Sequence, residues 1–267
     1  MIKLLKNKII LLFNYFNSIL GLFLFLFLSF LLIPVFSLIE IFLKKSKRRM
    51  LWRKGARFCL GFYFTFNRLK FNVKNFYNIK QGEAKIYISN HFSPLDGMFL
   101  FYILGDNSTL LTAPFGTFDL PFSFWFRKMG CIDVWRNEIE KIKFKSANDP
   151  GEAIRKALRE LESGQSIILF PEGHISIFFE LLYFHSGVAR IAIASGKVVI
   201  PIAITDVEKV FVKEALVLPG EISFTFGNPM DIKEYYIKNM PTMKNVVEKI
   251  RSQMKRMLPK RYKTKEE

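Results

Sequence analysis

The chain has 267 residues, half of them hydrophobic, with 30 Phe and a formal charge of +17. That length fits one large domain, or one domain with an anchor, and an apolar, strongly basic chain suits an anionic membrane surface. Nucleic acid, the other usual partner of such charge, is set aside because no zinc finger, RNP-type aromatic motif or GXXG loop is present, and Cys59 and Cys131 fit no metal-ligand spacing.

Residues 1–8 carry Lys3, Lys6 and Lys8, and residues 9–43 are overwhelmingly apolar. The stretch 19–39 has no charge and is long enough to cross a bilayer, which takes ~20 residues. It is too long for a signal-peptide core and is followed by no small-x-small cleavage site, so it reads as a retained anchor. Asn14, Asn17, Gly21 and Pro34 leave open a broken or re-entrant hairpin in place of one crossing. Residues 44–80 then hold twelve Lys or Arg and no Asp or Glu. Directly after an apolar segment this is the positive-inside pattern, which puts the following chain on the cytoplasmic face. Leu51, Trp52, Phe58, Leu60, Phe62, Phe64 and Phe66 lie among or just after these charges, as in an interfacial helix. The anchor and this helix take residues 1–66, leaving 67–267 for a second domain.

Beyond residue 70 the pattern alternates. Strands are predicted at 71–73, 85–89, 110–112, 131–134, 166–170, 198–204 and 222–226. Helices are predicted at 94–104, 122–129, 150–163 and 188–195. The third of these has Asp149 as cap, Pro150 first and Glu152 third, and stops at Ser163-Gly164. Such alternation argues for an α/β fold, with a mostly parallel or mixed sheet flanked by helices. Residues 241–258 read as a basic amphipathic helix with Val246, Val247, Ile250, Met254 and Met257 on one side, suited equally to packing or to membrane contact. The tail after Leu258 is expected to fray.

One stretch carries chemistry: Ser89-Asn90-His91-Phe92-Ser93-Pro94-Leu95-Asp96-Gly97, holding one of only three histidines. A His at a strand end can face a cleft, and an Asp one helical turn later can hold the imidazole in one tautomer. The other nitrogen is then free to take a proton. This is a base and its orienter with no nucleophilic Ser or Cys between them, suited to activating a substrate hydroxyl. The competing reading makes Ser93 an N-cap, Pro94 the first helical residue and Asp96 an acidic capping-box partner. Three further stretches follow: an apolar strand from Gly130 ending in Arg136, the turn Phe170-Pro171-Glu172-Gly173-His174, and the apolar strand 198–204 interrupted by Pro201. In a parallel sheet, functional groups gather at the carboxyl ends of strands.

In order, these stretches resemble the four blocks of the glycerolipid acyltransferase family of 1-acylglycerol-3-phosphate acyltransferases, the PlsC-like enzymes. Asn90-His91 with Asp96 is similar to the first block, Gly130, Ile132, Val134 and Arg136 to the second, and Phe170-Pro171-Glu172-Gly173 to the third. Ser176, Leu182, Phe184 and Gly187 continue that third block, and residues 199–204 with Pro201 are similar to the fourth. The third block departs from the pattern: where the family has Glu-Gly-Thr-Arg this chain has Glu172-Gly173-His174-Ile175, and His185 stands where a Lys is frequent.

The resemblance implies an acyltransferase domain over 67–267, with His91 as general base and Asp96 as its orienter. It implies that Arg136, Glu172, Gly173, His174 and Pro201 bind the acceptor. The co-substrate would be acyl-CoA or acyl-acyl-carrier protein, the acceptor a lysophospholipid, foremost 1-acylglycerol-3-phosphate, with no metal and no cofactor. Backbone amides near the helix start after Ser93 are the expected oxyanion donors. Phe115, Phe118, Phe122, Phe124, Trp125 and Phe126 are candidates for an acyl groove. The enzyme is expected at a phospholipid membrane with its catalytic domain on the cytoplasmic face. The altered third block keeps other acceptors open, namely glycerol-3-phosphate, another lysophospholipid or a lyso-aminolipid, as well as a non-catalytic lipid-binding role. A serine hydrolase is excluded by the lack of any Gly-x-Ser-x-Gly segment.

Overall fold

The structure, a computed structural model, describes residues 2–76, 82–213 and 216–263. Lys80 of the basic run and the end of the tail, 264–267, lie outside the described residues. Two helices lead the chain: α1 (Ile2–Ile41) and α2 (Lys45–Phe66). The domain follows as β1 (Leu69–Lys74), β2 (Ile86–Ser89), α3 (Asp96–Leu104), β3 (Ser108–Thr112), α4 (Phe122–Met129), β4 (Ile132–Asp133) and α5 (Glu138–Lys143). It continues through α6 (Pro150–Glu162), β5 (Ser166–Leu169), α7 (Gly187–Ser195), β6 (Val199–Thr205), α8 (Val207–Val210), β7 (Phe211–Lys213), β8 (Leu216–Val217), β9 (Gly220–Phe226), α9 (Ile232–Asn239) and α10 (Met243–Met257).

Seven strands form one sheet in the order β1-β9-β6-β2-β5-β3-β4, and β7 and β8 make a separate two-stranded ribbon. From β6 to β4 all pairings are parallel, while β9 pairs β6 antiparallel and β1 pairs β9 parallel, so β1 and β9 run against the other five. The sheet is therefore mixed, with a parallel centre. Its central strands are apolar throughout because helices cover both faces. Tyr87, Ile168, Ile200, Ile202 and Ile204 point to the layer of α1–α4, and Ile86, Ile88, Ile167, Leu169 and Val199 to the layer of α6, α7 and α10.

The predicted strands fall within two residues of those observed, and α6 has the expected start: Asp149 accepts the Glu152 amide with Pro150 in the first turn. The short elements α5, α8, β7 and β8, and the eight-residue α9, carry no strong periodicity and were not foreseen. Residues 241–258 form α10 as expected. Its apolar row packs inward, with Val246, Ile250 and Met254 fully buried, so packing accounts for that row. The chain just after Leu258 does not fray: Lys260–Tyr262 is a 3-10 turn and Tyr262 is buried.

The apolar N-terminus is one continuous helix with Pro34 inside it. Of the residues that left a hairpin open, Asn14 and Gly21 lie against the rest of the chain. Arg68 Nη2 donates to Asn14 Oδ1 at 2.9 Å. A Cβ on Gly21 would come within 2.6 Å of the Asn67 amide. Ser18 Oγ accepts the Val217 amide at 2.9 Å, and Glu40 accepts from Trp52 Nε1 and from Lys128. One long face of α1, with Phe25, Ser29 and Phe36, packs on α2 and α4. The opposite face, with Phe16, Ile19, Phe23, Phe27 and Phe30, is 48–62% exposed. Of the six aromatic residues of α2, Trp52, Tyr63 and Phe64 are buried, Phe66 is half-buried, and Phe58 and Phe62 are exposed.

Candidate active site

The carboxyl ends of the parallel strands share one edge, and the predicted residues gather there. His91 follows β2, Glu172 follows β5 and Arg136 follows β4. The segment 89–93 is held at nearly every polar atom. Ser89 Oγ donates to Ile202 O, and the Asn90 side chain both donates to Ile204 O and accepts from Ile204 N. The His91 amide donates to Glu172 Oε1 at 3.0 Å, and its carbonyl accepts the Ser176 amide at 2.8 Å.

The His91 ring lies with Nδ1 at 3.1 Å from Asp96 Oδ2, and is 18% exposed while Asp96 is fully buried. An ionised carboxylate only accepts, so Nδ1 carries the proton and Nε2 the free lone pair. Nε2 has no protein partner among the described residues. The ring stacks on Phe170 with centroids 4.1 Å apart.

Beyond its contact with the imidazole, Asp96 holds the turn that precedes α3. Oδ2 also accepts the Phe92 amide at 2.6 Å and the Ser93 amide at 2.8 Å, and Oδ1 accepts Ser93 Oγ at 2.6 Å. These bonds do not make a capping box, because the N-cap of α3 is Leu95, which makes no side-chain cap bond, and Asp96 is the first helical residue. The helix itself begins at Asp96 and not at Pro94, because Ser93-Pro94-Leu95 form a turn closed by the Asp96 amide on Ser93 O. The amides of Phe92, Ser93 and Asp96 are thus engaged, Pro94 has none and the Phe99 amide is spent on Leu95 O, so of the expected oxyanion donors only the amides of Leu95, Gly97 and Met98 remain.

Glu172 and Gly173 serve the scaffold. Glu172 is 2% exposed, and its two oxygens accept the amides of His91 and Leu182. Burial pushes its carboxyl up to about 7, with the Asp96 charge adding to the rise and the two amides opposing it. Gly173 has φ +71°, and a Cβ there would meet the His185 imidazole at 2.9 Å. The carbonyl of Gly173 takes Arg136 Nη1 at 2.8 Å. Arg136 is not an open fork. Its Nε and Nη2 both donate to Glu140, whose Oε2 also accepts the Arg136 backbone amide at 2.8 Å. These bonds hold the Glu140 carboxyl below its ordinary value, and the nearby His174 acts in the same direction. Glu140 lies four residues beyond the last motif position read from the sequence, and only an i,i+4 Arg-Glu spacing hinted at it.

Pro201 stands apart from this cluster. It lies opposite Ile88 in the sheet, its carbonyl accepts the Gly227 amide, and its ring bears on Gly227. No hydrogen bond ties it to His91 among the described residues.

Next to the dyad an apolar pocket opens between α1, α2, α3 and α4. Gly97, Met98, Phe122, Trp125 and Phe126 line it, together with Phe25 and Ser29 of α1 and Ala56, Cys59 and Leu60 of α2. A Cβ on Gly97 would sit 3.6 Å from Phe170, so that pocket-lining residue borders the ring on which His91 stacks. Of the aromatics read as an acyl groove, Phe122, Trp125 and Phe126 line the pocket. Phe118 packs on Phe126, Phe124 on Trp52, and Phe115 under Arg127. The wall supplied by α1 and α2 had no signal in the sequence. Among the described residues no group of three or more His, Cys, Asp or Glu is placed to hold a metal ion.

Residues 70–205 match the protein-family model described as Acyltransferase. The 1-acyl-sn-glycerol-3-phosphate acyltransferase of Limnanthes douglasii is 26% identical over 175 residues, which is 58% of this chain and 59% of that protein. The chain thus spans about three fifths of that plant relative. The protein of the same name from Borreliella burgdorferi is 24% identical over 192 residues, covering 70% of this chain and 73% of its own. In fold, the chain is similar to the crystal structure of the 1-acyl-sn-glycerophosphate acyltransferase PlsC from Thermotoga maritima. The TM-score is 0.62 at 20% identity, over 90% of this chain and 98% of that one.

Proposed function

The chain belongs to the Acyltransferase family, and from that premise we propose that it moves a fatty acyl group from acyl-CoA or acyl-acyl-carrier protein to the hydroxyl of a lysophospholipid, foremost 1-acylglycerol-3-phosphate. The observation that carries this reading is the His91-Asp96 pair set beside an apolar pocket. His91 Nε2 takes the proton of the acceptor hydroxyl while Asp96 holds the ring and stabilises its cation. The oxygen attacks the thioester carbonyl, and the tetrahedral intermediate expels the thiolate. The imidazolium then returns the proton to that sulfur. The acyl chain lies in the pocket, and Arg136 meets the phosphate.

The printed names of the relatives support the acceptor. The test is a radiolabelled acyl-transfer assay with both donor types and a panel of lysolipids. Transfer to 1-acylglycerol-3-phosphate that is lost in His91→Ala supports the reading. Transfer only to another lysolipid keeps the chemistry and moves the acceptor.

The site's membrane setting is part of the same proposal. The helix α1 has the length and apolarity to cross a bilayer. Its contacts favour a different placement. Asn14 and Ser18 near one end, and Glu40 at the other, all dock on the rest of the chain. Those positions span about 40 Å at ~1.5 Å per residue. A helix held along a domain over that length lies in the plane of one leaflet, with its exposed Phe row in the acyl region. The corner between α1 and α2 exposes Lys44, Lys47 and Arg48 beside Phe42. That pairing fits the headgroup zone of an anionic cytoplasmic leaflet.

A further inference from the structure

We propose that Glu140 is a specificity-determining residue: a resident anion that occupies the Arg136 fork and that an acceptor phosphate must displace. This rests on the acyl-transfer reading and extends it to a residue no motif includes. The geometry is that of a bound anion. Arg136 directs Nε and Nη2 at one carboxylate, its backbone amide at the same carboxylate, and Nη1 at the Gly173 carbonyl. A phosphate engages an Arg fork through the same paired N–H groups. One fork does not serve both anions fully.

The surroundings sharpen the competition. At the two positions where the resemblance implies further cations stand Ile175 and His185. The Ile175 side chain cannot pair a charge. His185 packs on Gly173. The head end of the site therefore carries Arg136 and Glu140 as a self-neutralised pair, with His174 near the carboxylate. An incoming phosphate gains Arg136 only as Glu140 releases it. The pair is built to open: its side chains are 29% and 13% exposed, and Glu140 sits on the six-residue helix α5, none of whose residues is buried. Asn137 caps that helix by accepting the Glu140 amide at 2.9 Å, so the helix start does not depend on the Glu140 carboxylate.

Glu140→Gln removes the charge and keeps one oxygen for the Arg136 amide, so the loop retains its shape. The experiment measures equilibrium binding of 1-oleoylglycerol-3-phosphate and of 1-oleoylglycerol in detergent micelles, in a His91→Ala background that blocks turnover. The expected result is that Glu140→Gln and Glu140→Ala tighten the phosphate-bearing lipid roughly three- to tenfold, the scale of a partly exposed ion pair. The affinity for 1-oleoylglycerol stays as in the parent, and the gain disappears when Arg136 is also Ala. With His91 restored, the KM for the phosphate acceptor falls by the same factor. Unchanged or weaker binding of the phosphate lipid would overturn the proposal and make Glu140 a buttress of Arg136. An equal gain for both lipids would overturn it too. Because binding is read without turnover, failure of the wild type to transfer any acyl group would strike the proposed reaction and leave this test standing.

Discussion

Asp96 holds His91 with the same oxygen that anchors the turn before its own helix: Oδ2 is 3.1 Å from His91 Nδ1 and 2.6 Å from the Phe92 amide. On the proposed mechanism, orienting the base and holding the turn ahead of α3 are therefore one function. Asp96→Asn leaves a single acceptor oxygen where the carboxylate takes four hydrogen bonds, and it offers an N–H where His91 needs an acceptor. The expected loss in kcat is about 10³–10⁴-fold, as for other orienting carboxylates behind a catalytic His. The melting temperature falls as well, because buried amides lose their partner. Rate and thermal unfolding measured on the same preparation check both. A drop in melting temperature with kcat retained would mean that Asp96 only holds the turn.

Glu172 makes stability depend on pH. Its folded carboxyl is raised to about 7, from an ordinary value of 4.5, chiefly by burial. The folded state thus holds a proton that the unfolded chain has released between those values. The unfolded state binds fewer protons there, so stability falls as pH rises from about 4.5 to 7 and then levels off. The integrated cost is about 3 kcal/mol at most. Glu172→Gln flattens this part of the profile but forfeits one of the two amide bonds to His91 and Leu182. Urea unfolding at pH 5 and pH 8 tests it. The wild type should lose more between the two than the variant does.

On the proposed reading, the pocket beside Gly97 sets which acyl chains fit. Ala56 lines it from α2, and Ala56→Leu fills its far wall. Removing room for two methylenes, at ~0.8 kcal/mol each, raises KM for the longest donors roughly tenfold. Shorter donors keep their rates. A donor series of increasing chain length reads the shift, and a uniform loss across the series would place the acyl chain elsewhere.

Arg53 holds α2 to the sheet. The residue is 2% exposed, and its guanidinium donates to Met129 O at 2.9 Å, Asp106 O at 2.8 Å, Gln165 Oε1 at 2.5 Å and Thr109 Oγ1 at 2.7 Å. Burial lowers its pKa to about 10, yet it stays charged at neutral pH. Arg53→Met strands these acceptors in the interior, and the expected loss is about 3–5 kcal/mol. Chemical unfolding in detergent measures it.

Arg53 also shows where the sequence stops being legible. In the primary structure it is one more cation in a basic run, indistinguishable from Arg48 and Lys54. Only the tertiary contacts separate a buried clamp from a surface charge. The same holds for Ser18 and Glu40, whose partners lie far along the chain, and for α5, too short to show a helical period. What could be read was local. The apolar strands β2, β5 and β6 are buried on both faces, so they appear as unbroken runs. Asp149-Pro150 marks a helix start by backbone chemistry alone. The His91-Asp96 spacing is legible because both residues sit on adjoining elements. Arg136 could be read as a site residue, but the carboxylate in its fork could not, since pairing is a property of the folded loop.

The placement of α1 gives the last prediction. Residues 14, 18 and 40 of one helix all touch the rest of the chain, and on the proposed in-plane placement the two ends of α1 stay near one side of the membrane. Lys8 and Lys44 flank the apolar stretch and both are exposed. In sealed vesicles, Lys8→Cys and Lys44→Cys should react with an impermeant maleimide from the same side, the side of the catalytic domain. A crossing helix would label from opposite sides, because ~20 apolar residues already span the core. Glu in place of Phe16 and Phe23, both on the exposed row, should release the protein into an alkaline carbonate wash. In the plane of a leaflet each charge needs to move only a few ångströms to reach water, and the apolar row it leaves behind loses its hold on the acyl region. Retention of the double variant together with opposite-side labelling would return α1 to a transmembrane path and detach it from the contacts at Asn14 and Ser18.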